Sequence, residues 1–441
     1  MRSALEAIVS GLMARCLLRY FGALAIRGME VAGKFGLYLL AARLMGGRES
    51  GLLFLCLTWV NFASTAARMG LERAMSRHIA AELAVGRGQA ARHALVSGLG
   101  WTALASLAAA ILTFGFASPA ALYLYHEPEL AWPLRLTAFV LPAQTLAFAV
   151  GFVLIGLSRG VSAQLVQSGL PALLPLAALL AGWRNVGTVL LVYAGSYAVC
   201  CCIGGGFVLR DWQRVMLDRV QADVVEPEPL ATLSATARPF LVIELVQATL
   251  LALPVLVLGA FADAVAVSAF SIVNRMTMMI NTILVSIAMI AAPAFARHHR
   301  RREFAQLRQS ARQARWLASL VCLPIIAVMV LIPRQLLSLL GHEFIVAAPA
   351  MIVLCVGQFV NTLFPTEDMM LAMTGHGSAL CRLNLQQLIV CCGLSAALIP
   401  ILGLMGAAIV TSVCLMQGRL SFAIAVHRVL PELSLPLAET A

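Results

Sequence analysis

Ionisable side chains inside long apolar segments are the residues of this sequence whose types and spacing could do chemistry. Arg27, Glu30 and Lys34 follow one another at intervals of three and four residues, so a helix would place all three on one face. Charged groups at membrane depth are costly, and they face a protein interior or a watery cavity. The face has two interpretations: an ion pair that fastens its helix to neighbouring helices, or part of a polar wall along a substrate path.

Four other apolar segments carry polar side chains at helical spacing. These stripes consist of Thr58, Asn61, Thr65 and Arg68; of Glu244 and Gln247; of Ser271, Asn274, Arg275, Met278 and Thr282; and of Gln358, Asn361 and Asp368. A single stripe is more often interhelical hydrogen bonding than a binding site. Because five segments carry one, the pattern favours a polar central cavity.

Arg275 has no acidic residue one helical turn away, so its partner must come from another helix, plausibly Glu244 or Glu30, or be an anionic ligand. A guanidinium binds phosphate or carboxylate through two hydrogen bonds. A structural ion pair is the alternative. The residues that we expect to bind substrate are Arg27, Glu30, Lys34, Asn61, Arg68, Glu244, Asn274, Arg275 and Asp368.

The elements that position these residues follow from composition. Of the 441 residues, 61% are hydrophobic and 12% are charged, whereas a soluble domain has about 25% charged residues. This excludes a soluble enzyme, a nucleic-acid-binding module, a disordered scaffold and a secreted disulfide protein. Apolar runs of about 20 residues recur without the alternation of a barrel strand, so they predict membrane-spanning helices. We expect twelve spans, near 20–44, 50–70, 94–117, 133–157, 162–183, 186–209, 239–261, 266–293, 314–333, 345–371, 383–402 and 405–426.

Basic residues orient these spans. Arginines concentrate in alternate connecting segments, with basic loops after spans 2 and 8, and the positive-inside rule then places both termini in the cytoplasm. Most of the formal charge of +11 is explained by the arginines that set the membrane topology, so we expect no nucleic-acid partner. The basic run at 297–302 could bind anionic head groups of membrane lipids.

The spans form two similar halves. HEPELAWP at 126–133 and HEFIVAAP at 342–349 match at four positions, in corresponding places of the two halves. We predict an N-terminal six-helix lobe at 1–209, a cytoplasmic linker at 210–238 and a C-terminal six-helix lobe at 239–441. The sequence of residues 1–16 predicts a short interfacial helix. Six helices per lobe is an even number, which predicts parallel repeats around a central cavity.

Neither catalysis nor a cofactor is expected. The eleven cysteines have no zinc-like spacing, which favours buried thiols. No phosphate-binding Walker sequence occurs, and coupling to H⁺ or Na⁺ through Glu30, Glu244 or Asp368 stays open. The His-Glu pairs at 126–127 and 342–343 are the only catalytic candidates, and capping of helix ends is the commoner role for such residues. We therefore expect a membrane transporter and not an enzyme.

Longer motifs carry a family resemblance. They are KFGLYLLAARLMGGRESGLLF at 34–54, ARMGLERAMSRHIA at 67–80, IAAPAFARHHRRREFAQLRQSAR at 290–312, LLGHEFIVAAPAMIVLCVGQFVN at 339–361 and MTGH at 373–376. In their order and spacing the chain resembles the polysaccharide-biosynthesis, oligosaccharide-lipid flippase branch of the multidrug/oligosaccharidyl-lipid/polysaccharide (MOP) exporter superfamily. The resemblance covers nearly the whole length, and the chain departs from the family pattern at Phe364-Pro365.

The resemblance implies a MATE-like fold of twelve helices in two lobes. It implies a flippase of the bacterial inner membrane that moves an undecaprenyl-diphosphate oligosaccharide outward by alternating access, for cell-surface polysaccharides such as lipopolysaccharide or exopolysaccharide. Partners would be the lipid-linked oligosaccharide, membrane lipids, and a polysaccharide polymerase with its assembly machinery. The alternatives are a drug or cation exporter or a lipid II flippase of the same superfamily, and, from another class, a membrane sugar polymerase or acyltransferase.

Overall fold

The computed structural model describes residues 28–29, 32–84, 86–217 and 230–429. Within these ranges the chain is helical apart from short turns, and it contains no strand, which confirms the expected all-α class. The helices are α1 (32–45), α2 (Gly47–Arg68), α3 (Leu71–Ala84), α4 (Gly88–Pro119), α5 (Ala131–Gly156), α6 (Gly160–Gln164), α7 (Leu173–Leu180), α8 (Val186–Leu217), α9 (Leu230–Phe261), α10 (Ala264–Arg300), α11 (Phe304–Leu331), α12 (Pro333–Ser338), α13 (Ala348–Leu363), α14 (Glu367–Met373) and α15 (Gly377–Val429).

Ten helical segments of the described chain are long and apolar enough to cross a membrane. One of them, α15, has 53 residues, about 80 Å of helix against a hydrocarbon core of about 30 Å. Gly403 breaks it with a non-helical backbone at φ 53° and ψ −128°, a conformation that glycine adopts readily because it lacks a Cβ. The two parts of α15 are the predicted spans near 383–402 and 405–426. The count of twelve stays approximate, because only residues 28–29 and α1 of the predicted first span near 20–44 are helix within the described residues.

The predicted span near 162–183 is not one regular helix. It consists of α6, a π-helical turn at Leu165–Gly169 and the short α7. Pro171 and Pro175 account for the irregularity, because proline lacks the N–H of the helical hydrogen bond and its ring clashes with the preceding turn. Proline therefore interrupts this span.

The basic segment after span 2 is a helix and not a loop. In α3 the side chains of Leu71, Met75 and Ile79 are buried, whereas Arg73 and Arg77 are exposed. The buried face packs on α4 and α5. The three- and four-residue spacing of the apolar residues explains the helix, and its 14 residues are too few to cross a membrane.

The chain forms two compact units. Unit 1 contains the described residues up to Leu44 and from Trp59 to Leu245, and unit 2 contains those from Met45 to Thr58 and from Val246 onward. The predicted lobes at 1–209 and 239–441 stay a prediction. Residues 218–229 of the predicted linker and the predicted interfacial helix at 1–16 lie outside the described residues.

Small residues let helices approach closely within each unit. In unit 1, α5 packs against α4 and α8. Because Gly98 of α4 has no side chain, the side chain of Met75 on α3 can lie directly against it. In unit 2, a Cβ added at Gly51 of α2 would lie 1.8 Å from the carbonyl oxygen of Ala264, at the start of α10. Such contacts are typical of helices that pack inside a membrane, and they hold the polar side chains of each unit in place.

Candidate functional site

The expected substrate-binding residues fall in both units. Arg27 and Glu30 lie outside the described residues. The others lie on helices: Lys34, Asn61, Arg68 and Glu244 in unit 1, and Asn274, Arg275 and Asp368 in unit 2. The predicted central cavity stays a prediction.

Arg68 is the centre of a buried polar network in unit 1. It is the last residue of α2, and its guanidinium donates hydrogen bonds to Ser64 Oγ at 3.1 Å, to Thr65 Oγ1 at 3.0 Å and to Glu72 Oε1 at 2.9 Å. The side chains of Arg68 and Glu72 are 9% and 2% exposed. We call Asn61, Ser64, Thr65, Arg68, Glu72, Gln144 and Thr145 the α2 network.

Amide and hydroxyl groups tie this network to α5. Gln144 Nε2 donates to Asn61 Oδ1 at 2.8 Å, and Thr145 Oγ1 donates to Ser64 Oγ at 3.0 Å. The buried Oε1 of Gln144 has no hydrogen-bond partner in the structure. Because a buried acceptor without a donor is costly, this oxygen is a group that a polar ligand or a water molecule would satisfy.

Aromatic rings close one side of the α2 network. The Cζ atom of Arg68 lies 4.7 Å from the ring centroid of Phe148, within the range of a cation–π interaction. Tyr197 packs against Phe148 with ring centroids 6.3 Å apart, and its hydroxyl lies 3.5 Å from that of Tyr193. The arginine is thus held by a carboxylate, two hydroxyls and a ring.

Two acidic residues lie at the α3 side of the network. Burial raises the pKa of the Glu72 carboxyl, although the charge and the hydrogen bond of Arg68 lower it, and the negative charge of Glu244 adds to the rise. Glu72 Oε2 is buried without a hydrogen-bond partner. Glu244 forms an ion pair with Arg73 of α3. The structure therefore gives Glu244 a partner that the sequence did not suggest, since Arg275 was its expected one.

Ion pairs in unit 2 hold α14. Asp368 lies 3.1 Å from Arg419 of α15, and Glu367 accepts a hydrogen bond of 3.0 Å from Arg315 of α11. Glu367 is buried, which raises the pKa of its carboxyl against the opposing effect of Arg315. Asp368, expected to bind substrate, thus contacts an arginine of its own unit.

Amide side chains form a second polar group in unit 2. Asn361 on α13 is fully buried, and its Nδ2 donates to Asn281 Oδ1 at 3.2 Å and to Gln358 Oε1 at 3.0 Å. Asn274 is buried on α10 and Arg275 beside it is half-buried. The stripe predicted on α13 therefore takes part in interhelical hydrogen bonding, the commoner of the two interpretations, but its partner Asn281 lies outside the stripe predicted on α10.

One of the His-Glu pairs caps a helix. Glu343 Oε1 accepts a hydrogen bond of 2.7 Å from the backbone N–H of Gly47, at the start of α2. The unpaired N–H groups of a first helical turn favour such an acceptor. His126, in the corresponding place of the first half, has a positive φ of 52°.

No group of His, Cys, Asp and Glu among the described residues could hold a metal ion. Six of the ten described cysteines are buried, and all ten are free thiols. The buried thiols agree with a packing role.

Several members of these groups were not expected from the sequence. Glu72 lies four residues after Arg68, a spacing that brings side chains together on a helix, and this signal was available. Arg419 and Gln144 gave no local signal, because their partners are far away in the sequence.

Long apolar helices and buried polar groups define a multi-pass α-helical membrane protein. Its fold is similar to that of solved MOP-superfamily transporters. A multidrug resistance MATE family transporter in an inward-facing conformation has a TM-score of 0.74 at 16% identity, covering 96% of this chain and 99% of that one. The lipid II flippase MurJ, in an inward closed conformation, has a TM-score of 0.73 at 12% identity, covering 92% and 87%. A MOP superfamily transporter from Pyrococcus furiosus has a TM-score of 0.58 at 17% identity, covering 94% and 97%.

Residues 23–299, more than half of the chain, match the family described as "Polysaccharide biosynthesis protein", and residues 239–413 match the MatE family. The chain belongs to the polysaccharide biosynthesis protein family, and the resemblance seen in its motifs is confirmed. No curated protein matches it.

Proposed function

We propose that this protein is a flippase that moves a lipid-linked oligosaccharide, carried on undecaprenyl diphosphate, across the bacterial inner membrane by alternating access. The family match supports a role in polysaccharide biosynthesis. The single observation that carries the transport step is the α2 network, because it places a buried arginine and polar acceptors at the end of a membrane-spanning helix.

The physical argument concerns the head group of such a substrate. A sugar diphosphate is anionic and hydrated, so it needs charged and polar partners to leave water, whereas its tail can stay in lipid. Arginine binds phosphate oxygens through two hydrogen bonds. We propose that Lys34 and Arg275 act on the diphosphate and that the amides and hydroxyls of both units bind sugar.

Orientation and energy supply belong to the same proposal. Both termini would be cytoplasmic, as the arginine distribution predicts. If H⁺ or Na⁺ is coupled to the cycle, Glu30, Glu244 and Asp368 are the carboxylates that would carry the coupling. The expected partners are the lipid-linked oligosaccharide, membrane lipids, and a polymerase with its assembly machinery.

The test is flipping of a fluorescent lipid-linked oligosaccharide by the purified protein in proteoliposomes. We expect Lys34→Ala and Arg275→Ala to lose most of the flipping rate. Arg184→Ala is the matched control, since Arg184 is an exposed arginine outside the helices, and it should keep the wild-type rate. Size-exclusion profiles establish that all variants are folded.

Separate arms address the alternatives. Transport of a cationic dye with no flipping of the glycan lipid would identify a drug exporter, and flipping of lipid II alone would identify a lipid II flippase. Wild-type flipping by both Lys34→Ala and Arg275→Ala at normal protein levels would remove the charge-based argument for the binding site.

A further inference from the structure

An apolar cavity of about 600 Å³ lies in unit 1, beside the polar groups and separate from them. Helices α2, α4 and α5 and the π-helical turn at Ala120–Leu124 form its walls. Its lining contains no charged residue and is rich in alanine and aromatic residues. The lining residues are Trp59, Phe62, Ala63, Ala66, Ala67, Met69, Ala105, Ala108, Ala109, Leu112, Thr113, Phe116, Ala117, Ala120, Leu124, Tyr125 and Leu134.

The cavity opens at an exposed apolar surface of the unit. Leu112 and Phe116 line it, yet their side chains are 59% and 67% exposed. Both lie in α4, a candidate membrane span. In a membrane, such exposed apolar residues face hydrocarbon and not water, so the molecules that can enter are apolar.

The indole N–H of the lining is satisfied inside the protein. Trp59 Nε1 donates a hydrogen bond of 3.2 Å to Thr113 Oγ1, across from α2 to α4. This bond takes up the indole N–H, which otherwise would attract water or a polar ligand. A dry, apolar cavity is the kind that holds a hydrocarbon ligand.

The dimensions fit one chain. The lining residues of α4 and its extension run from Ala105 to Ala120, about 22 Å at the helical rise. A volume of 600 Å³ over that length corresponds to a tube about 6 Å across. Carbon atoms in contact are about 4 Å apart, so such a tube takes a single chain with room for methyl branches.

We propose that this cavity binds the isoprenoid tail of the lipid-linked substrate. The inference rests on the proposed function, because that function supplies a substrate with one long, branched hydrocarbon chain. Met69 lines the cavity and directly follows Arg68 in the sequence. A tail held in the cavity would therefore keep its head group near the polar end of α2. We call this cavity the tail site, and it is distinct from the polar groups of unit 1.

Photo-crosslinking in lipid nanodiscs tests the tail site. The probe is a polyprenyl phosphate with a diazirine in its tail and no sugar, and mass spectrometry locates the label. We expect labelling of peptides within 59–69 and 105–125, with competition by unlabelled polyprenyl phosphate. A phosphatidylcholine probe with a diazirine in an acyl chain is the second arm, and it should label these peptides at least about fivefold less.

Two substitutions on α4 sharpen the test. Ala109 lines the cavity, whereas Ala103, six residues earlier on the same helix and similarly half-buried, does not. Ala109→Phe should reduce labelling at least about fivefold, and Ala103→Phe should leave it unchanged. Ala109→Leu, a smaller replacement, should reduce labelling if the Phe variant does not fold.

The outcomes separate this inference from the proposed function. Unchanged labelling in the filled variants, or equal labelling by the phosphatidylcholine probe, would overturn the tail site even if the wild type flips glycan lipid. Specific labelling by the polyprenyl probe without any flipping would support the tail site and contradict the flippase.

Discussion

Replacing Arg68 with methionine tests whether the α2 network is a cooperative buried structure. Ser64 and Thr65 keep a second hydrogen bond each in the variant, to Thr145 and to the carbonyl oxygen of Asn61. The loss therefore falls on Glu72, which is 2% exposed and already has one carboxylate oxygen without a hydrogen-bond partner. Removing one member of a buried ion pair costs about 3–5 kcal/mol.

The double variant Arg68→Met with Glu72→Leu is the informative comparison. Replacing both members of a buried pair with apolar residues is often neutral, so the double variant should recover most of the loss. Unfolding by SDS in mixed micelles measures the free energy of unfolding of wild type, both single variants and the double variant. Equal stability of Arg68→Met and the double variant would refute the reasoning, because the unpaired carboxyl would then carry no penalty.

The same variant has a pH dependence of known sign. Burial raises the pKa of Glu72 in the folded protein, so folding favours the protonated carboxyl, and the contribution of Glu72 to stability falls as pH rises from its ordinary pKa through the raised one. Removing Arg68 takes away a charge that lowers this pKa. The deficit of Arg68→Met should therefore be larger at pH 8 than at pH 5, and a deficit independent of pH would contradict the assignment to Glu72.

Three further predictions use the same measurement. Asp368→Asn should lower the free energy of unfolding by about 1 kcal/mol or less, because the Asp368 side chain is 36% exposed and water screens its ion pair; a loss above 3 kcal/mol would contradict this. Gly51→Ala should cost at least about 1–3 kcal/mol, since the new Cβ meets the backbone of Ala264, whereas Gly115→Ala, with nothing within 4 Å, should gain up to about 1 kcal/mol of helix propensity. Glu343→Ala should cost about 1 kcal/mol by removing the acceptor at the start of α2, and Glu343→Gln, which keeps a carbonyl oxygen, should stay near wild type.

Fold class was predictable because it depends on local composition. Twenty apolar residues in a row define a span wherever the rest of the chain lies, and the break at Gly403 separates two spans that the sequence predicted as separate. The break between α6 and α7 could also be predicted from the sequence, because Pro171 and Pro175 lie inside the apolar run. The helix α3 was missed because its charges hid an apolar face of only a few residues.

The contacts of the polar residues were less predictable. Arg68 and Glu72 lie one helical turn apart, so their pairing was within reach of periodicity. Asp368 meets Arg419 from a different helix, and Glu244 meets Arg73 in the same way. Such pairings depend on which helix faces lie together, and helical spacing along one segment carries no information about that.

Lys34 offers a single position for selective chemical labelling. It is the only lysine among the 31 basic residues of the sequence, the others being arginine, and it lies half-buried on α1. Its ε-amine is thus the sole side chain of its kind for an acylating reagent. Reductive methylation with ¹³C-formaldehyde would introduce one NMR-visible side-chain label on α1, and its chemical shift would report hydration at that single position during turnover.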